Sequence, residues 1–148
     1  MTPSDPDFAA RVRDSFARQQ VMAFLGATLT RVEPGIVEIE LPFRAELTQQ
    51  HGYFHGGIVA TIADSAAGYA AFTLMPAGSS VLSVEYKINM IAPAAGERLR
   101  AIGEAVRSGR TLTVCTFRVM VAKDGRETAC AVGVETAMCL MDRADRPE

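Results

Sequence analysis

The segment that decides the fold is residues 51–72, HGYFHGGIVATIADSAAGYAAF. It holds both histidines of the chain, His51 and His55, then the pair Gly56-Gly57, then the most apolar run in the sequence with a single carboxylate, Asp64, inside it. An unpaired buried charge is costly, so Asp64 must have a partner, water or a task. From Gly57 to Met75 the run is nearly long enough to cross a bilayer. It contains Thr61, Asp64 and Ser65 and is largely Ala and Gly, and a strand pattern follows it, so it reads as a helix buried within a domain, ending near Leu74 ahead of Pro76 and Gly78.

At about 100° per residue, Gly57, Thr61, Asp64 and Gly68 fall on one narrow face of that helix, away from Ile58, Val59, Ile62 and Tyr69. A face of small residues leaves room beside the carboxylate for a ligand or a water. The other reading is a structural acid, bonded to the backbone or to an arginine. At Gly56 and Gly57 the helix starts, where free N–H groups and the positive end of the dipole can meet an oxyanion; a plain loop-to-helix bend is the alternative there.

Outward from the helix, the pattern is short and regular. Residues 7–25 carry Phe8, Val12, Phe16 and Gln20 at helical spacing, an amphipathic helix closed by Gly26. Two strand-like runs flank Glu33-Pro34-Gly35, and in the second Val37, Ile39 and Leu41 form the apolar side against Ile36, Glu38 and Glu40. After the long helix, Leu82, Val84, Tyr86, Ile88 and Met90 alternate with polar residues, which predicts a strand with one buried face. Three further strands follow, with hairpin turns at Ser108-Gly109-Arg110 and at Lys123-Asp124-Gly125-Arg126. The order helix, two strands, long helix, four strands predicts an α+β domain spanning 1–148: an antiparallel sheet of about six strands wrapped round the long central helix.

The composition excludes several classes. With 49% hydrophobic and 22% charged residues the chain is globular, and a net charge of −2 with no basic stripe argues against nucleic acid. The N-terminus has no apolar signal core, and no membrane partner is expected, so the expected location is cytoplasmic. Cys115, Cys130 and Cys139 are widely spaced and form no CxxC, which suits reduced, buried strand residues. His51 and His55 lack a third ligand beside them, so no metal site is expected.

Eight residues separate Gly56 from Asp64, about 12 Å along a helix axis. An oxyanion donor and a base for one carbonyl must both lie within about 3 Å of the reacting atoms or their water. One helix cannot supply both to one substrate. A catalytic reading therefore requires two copies of the chain, with symmetric sites between them.

The HGG at 55–57 with Asp at 64, the entry LTQQHGYFHGG, the helix IVATIADSAAGYAA, the strand SVEYKINMIAPA and the hairpin VRSGRTLTV resemble the hotdog-fold acyl-CoA thioesterases of the PaaI-like, phenylacetate-pathway type. The resemblance implies a hotdog fold, a homodimer with a continuous sheet, a homotetramer as a dimer of dimers, and an acyl-CoA substrate with no cofactor. It implies a carbonyl polarised by the N–H groups at Gly56 and Gly57, Asp64 of the neighbouring subunit as base or nucleophile, and His55 shaping the helix start. Ser83 would bind the attacking water, and the Arg107-Ser108-Gly109-Arg110 turn would meet the coenzyme A phosphates. Related enzymes carry Asn where this chain has Gln49, with Gln50 beside it; either glutamine can present the amide. Thr61, Gly68, Phe72 and Met75 would line the pocket for an apolar acyl or aryl group. Two other functions fit the pattern, a 3-hydroxyacyl thioester dehydratase and a non-catalytic acyl-CoA-binding module.

Overall fold

The computed structural model describes residues 1–141 together with Arg143 and Asp145. Its elements are α1 (Phe8–Arg18), α2 (Gln20–Leu25), β1 (Thr28–Glu33), β2 (Ile36–Pro42), a short 3-10 turn (Ala45–Leu47), α3 (Gly56–Phe72), β3 (Ser80–Met90), β4 (Arg98–Ser108), β5 (Leu112–Lys123) and β6 (Arg126–Leu140). The strands form one antiparallel six-stranded sheet in the order β1-β2-β4-β5-β6-β3, open at both edges. α3 packs against β2, β3, β4, β5 and β6, so the sheet curves round it.

The composition of α3 follows from how closely it lies on the sheet. Ala63, Ala66, Ala67, Ala70 and Ala71 are fully buried, and the strand residue beneath them is Gly103. A Cβ on Gly103 would stand 2.3 Å from the Ala66 carbonyl oxygen and 2.6 Å from the Ala67 nitrogen. These are backbone atoms in mid-helix and cannot step aside as a side chain would. Gly103→Ala is therefore expected to destabilise the fold by about 3 kcal/mol or more, measured as a lower denaturant midpoint at unchanged m-value.

The turns behave as their residues dictate. The β5–β6 hairpin closes through Asp124 and Gly125, whose φ values of 50° and 74° are the left-handed pair a two-residue hairpin loop needs. On β2, Val37, Ile39 and Leu41 are fully buried, as their alternation predicts. All three cysteines are free and buried. Among the described residues no helix is long and apolar enough to cross a membrane.

Two expectations are corrected. The N-terminal helix is broken at Gln19, which is extended (φ −73°, ψ 103°) and separates α1 from α2. On one continuous helix Val12 and Leu25 would point about 140° apart. The break lets Val12, Met22 and Leu25 all reach the core. Arg11 on α1 then closes the C-terminal end of α3, donating to the carbonyls of Pro76 at 2.6 Å and Met75 at 2.7 Å, where a cation also suits the helix dipole.

The second correction concerns β3. Its register against β6 slips between Ser83 and Glu85, leaving Val84 as a bulge. Across the slip the alternation changes phase. Ser83 pairs with Ala137 and Tyr86 with Glu135, and these, with Ile88 and Met90, take the helix side. Leu82 and Val84 are 55% and 52% exposed. The five apolar residues of β3 thus do not share one buried face.

Candidate active site

The chain enters α3 through a loop closed by a bridge between Thr48 and Phe54. The His55 N–H donates to the Leu47 carbonyl at 2.9 Å, and the Phe54 N–H donates to Ala94 at 3.0 Å. His55 is the N-cap: its Nδ1 accepts the Gly57 N–H at 2.9 Å, while its carbonyl accepts those of Ile58 and Val59. The imidazole of His55 is thus held by the first turn. Of the two glycine N–H groups that begin the helix, Gly57 is engaged. The Gly56 N–H has no acceptor among the described residues. Met90 from β3 approaches Gly56 closely, 3.5 Å from where a Cβ would stand. At the loop tip, the Gln49 side-chain oxygen accepts the His51 N–H, and exposed Gln50 lies 3.4 Å from the His51 ring. Gln49 is half-buried and is the better shielded of the two glutamines.

Asp64 stands half-buried two turns along the same helix. It opens on a cavity of about 230 Å³ that Gln19, Gly68, Tyr69, Val81 and Ser83 also line. No side chain or backbone group among the described residues bonds its carboxylate. Thr61 donates its hydroxyl proton to the Gly57 carbonyl at 2.7 Å, so it contributes shape rather than a proton. Gly68, one turn beyond Asp64, has no side chain to fill the space in front of β3.

That space is bounded by a residue the sequence reading did not name. Glu135 on β6 is 1% exposed, and its Oε1 accepts the Ser83 hydroxyl at 3.1 Å. The same oxygen lies 3.4 Å from the position of a Gly68 Cβ. Its Oε2 is buried with no partner among the described residues. Burial, and then the charge of Asp64, push the Glu135 carboxyl up to about 8, with the Ser83 bond pulling the other way. These surroundings favour the protonated form of Glu135. Gln19 was missed too: the break between α1 and α2 turns it into the cavity, where its side-chain oxygen is buried without a partner among the described residues.

The structure thus brings Asp64, Gly68 and Ser83 together and places Gln49, Gln50, His55, Gly56 and Gly57 together at the helix start, with Thr61 between the two groups. It does not bring the remaining nominees to either place within one chain. Phe72 is fully buried under the Arg11 guanidinium, whose carbon lies 4.2 Å from the ring centre. Arg107, Ser108, Gly109 and Arg110 line a separate cavity of about 760 Å³ with Met1, Leu74, Met75, Pro76 and Met141, beyond the C-terminal end of α3.

Comparison with known proteins gives this geometry a family. The sequence profile of the Thioesterase superfamily matches residues 51–129, just over half of the chain. A crystal structure of a thioesterase family protein from Silicibacter pomeroyi superposes with a TM-score of 0.90 at 51% identity, over 90% of this chain and 98% of that one. The proofreading thioesterase EntH of Klebsiella pneumoniae is 27% identical over 113 residues, 76% of this chain and 82% of its own. The PaaI protein of the E. coli phenylacetic acid degradation operon shares the fold at 17% identity, with a TM-score of 0.80 over 89% of this chain and 92% of that one. With its antiparallel sheet wrapped round one central helix, the chain belongs to the thioesterase superfamily and has the PaaI-like hotdog fold.

Proposed function

We propose that the protein hydrolyses an acyl-CoA thioester to the free acid and coenzyme A, in a site shared between two copies of the chain. The observation that carries the reading is the separation on α3 of two groups with complementary chemistry and no internal partner among the described residues: the Gly56 N–H and the Asp64 carboxylate, about 12 Å apart along the axis. Each is half of a thioester-hydrolysing site. The edge strand β3 runs beside them with one side unpaired, and Leu82, Val84 and Tyr86 on it are about half exposed. Such an edge invites pairing with a second copy, and a two-fold arrangement sets the helix start of one subunit against Asp64 of the other, twice.

In that site the thioester carbonyl oxygen accepts the Gly56 N–H at the positive end of the helix, and the amide of Gln49 or Gln50 orients the substrate. Asp64 takes a proton from water as the water oxygen bonds to the carbonyl carbon. The tetrahedral intermediate expels the thiolate; the carbon–sulfur bond breaks, and coenzyme A leaves after taking up the proton. Direct attack by the Asp64 carboxylate is the variant of this scheme. The chemistry draws on no cofactor. Arg107 and Arg110 would meet coenzyme A phosphates only as side chains of a neighbouring subunit, because their own turn lies at the opposite end of α3. A second face supports a dimer of dimers: Leu82, Leu112, Val114 and Val134 expose apolar surface on the side of the sheet away from α3.

The test is release of free thiol from short-chain, long-chain and arylacetyl-CoA thioesters by the wild-type protein. Turnover of at least one class is expected. Binding of these thioesters without turnover would overturn hydrolysis and leave a ligand-binding module; water loss from a 3-hydroxyacyl-CoA instead would make it a dehydratase.

A further inference from the structure

We infer that Glu135 is a positioning residue of this site, a buried carboxyl group that fixes the direction of the Ser83 hydroxyl and so the orientation of the attacking water. The inference rests on the hydrolytic reading of Asp64 and adds to it.

A serine hydroxyl has one proton and two lone pairs, and it rotates to suit its neighbours. With the acid proton of Glu135 on Oε2, its Oε1 at 3.1 Å stays an acceptor, and the Ser83 proton points into the sheet, away from the cavity. The lone pairs of Ser83 then face the cavity, where it can only accept. A water between Ser83 and Asp64 gives one proton to each and presents its own lone pair to the thioester carbon. Without Glu135 the hydroxyl is free to turn and donate to Asp64, which would occupy the base. Gly68 leaves the cavity side of the Glu135 carboxyl open, with Oε1 3.4 Å from where a Cβ would stand.

The carboxyl can do this without adding a second negative charge only while it keeps its proton. Its surroundings favour that. On α3 it faces Asp64, on β3 Ser83 and its register partner Tyr86, and on β5 its register partner Cys115. No cation is among them. The Cys115 thiol is itself pushed up to about 12 by burial and then by Glu135, so it stays neutral over the working range. As pH rises through the Glu135 value of about 8, a second carboxylate appears next to Asp64. The oxyanion of the tetrahedral intermediate, which forms as Asp64 takes up the water proton, then builds beside an ionised Glu135 instead of a neutral one.

The experiment is kcat/KM for thiol release from pH 6 to 9.5 in wild type, Glu135→Gln, Glu135→Leu, Ser83→Ala and the Ser83→Ala/Glu135→Leu double variant, with oligomer size checked for each. Wild type is expected to lose activity on an alkaline limb near pH 8, by about tenfold at full ionisation. Glu135→Gln, which keeps an acceptor for Ser83 and cannot ionise, is expected to retain more activity at pH 7 than Glu135→Leu and to lack the limb. The double variant is expected to be no worse than Ser83→Ala alone, because the two residues act as one unit. An unchanged alkaline limb in Glu135→Gln, or additive losses in the double variant, would overturn the role of Glu135 while hydrolysis stands. If wild type turns over no thioester, it is the hydrolytic reading that fails. Should Glu135→Leu not fold, the pH profile of the isosteric Glu135→Gln decides alone.

Discussion

Asp64→Asn is expected to lower kcat for thioester hydrolysis by about a hundredfold or more while leaving the fold and the assembly intact. Asparagine keeps the shape of the side chain and its acceptor oxygen but cannot take a proton from water or attack as a carboxylate. The structure gives reason to expect a clean result. Asp64 is half-buried and makes no hydrogen bond or ion pair among the described residues, so the substitution breaks no internal contact there. A loss in kcat with little change in KM would place the missing interaction in the transition state rather than in substrate binding. One physical side effect is predicted as well. Asp64 is one of the two causes that raise the Glu135 carboxyl; with that charge gone, the Glu135 value moves down, and burial alone still holds it above the ordinary carboxylate range.

Gly56→Pro is expected to cost about a hundredfold to a thousandfold in kcat, the usual effect of deleting one oxyanion donor. Proline is the right probe because it removes an N–H and little else. Gly56 is the first residue of α3, the position where helices accept proline most readily. His55 before it has φ −63° and ψ 137°, the extended conformation a residue preceding proline prefers. A Cβ at Gly56 meets only the flexible end of Met90, at an ordinary contact distance of 3.5 Å. Gly57→Pro would be a poor substitute, because it would strip the N-cap bond to His55 Nδ1. Equal thermal midpoints for wild type and Gly56→Pro, with activity lost, would assign the effect to the missing donor; activity retained would show that the Gly56 N–H does not polarise the carbonyl.

Much of this arrangement is legible in the sequence because local and global signals agree there. The alternation of Val37, Ile39 and Leu41 and the Asp124-Gly125 turn each have a single physical solution, and the structure adopts it. The features that were not legible share a cause as well. On β6 the residues facing the helix are Ala131, Gly133, Glu135 and Ala137, while Val132, Val134, Thr136 and Met138 face away. By hydrophobicity the outer side would be taken for the core. The inversion arises because α3 lies so close that small residues are needed beneath it, and Gly133 leaves room for Phe117 and the Lys87 carbonyl. Glu135 therefore hides in a stripe that does not look like a core stripe. The signal that could have found it is the one that found Asp64: a lone carboxylate in a run of small residues. The phase change in β3 was invisible for a simpler reason, since a one-residue bulge leaves no mark in an alternating pattern that continues apolar through Val84. The break at Gln19 was hidden because both halves keep helical spacing and only their burial directions differ.

The central claim is that each site takes Gly56 from one subunit and Asp64 from another, and subunit mixing tests it most directly. Asp64→Asn and Gly56→Pro are each inactive as pure assemblies, because every site lacks one of the two groups. When the two variants are unfolded together and refolded in equal amounts, half of the dimers are mixed. Each mixed dimer holds one site with both groups and one with neither. The account predicts that about a quarter of wild-type kcat returns, from a simple count of intact sites across an isologous interface. If the mixture stays as inactive as its components although mixed dimers form, the two groups act within one chain or not together, and the shared site is wrong.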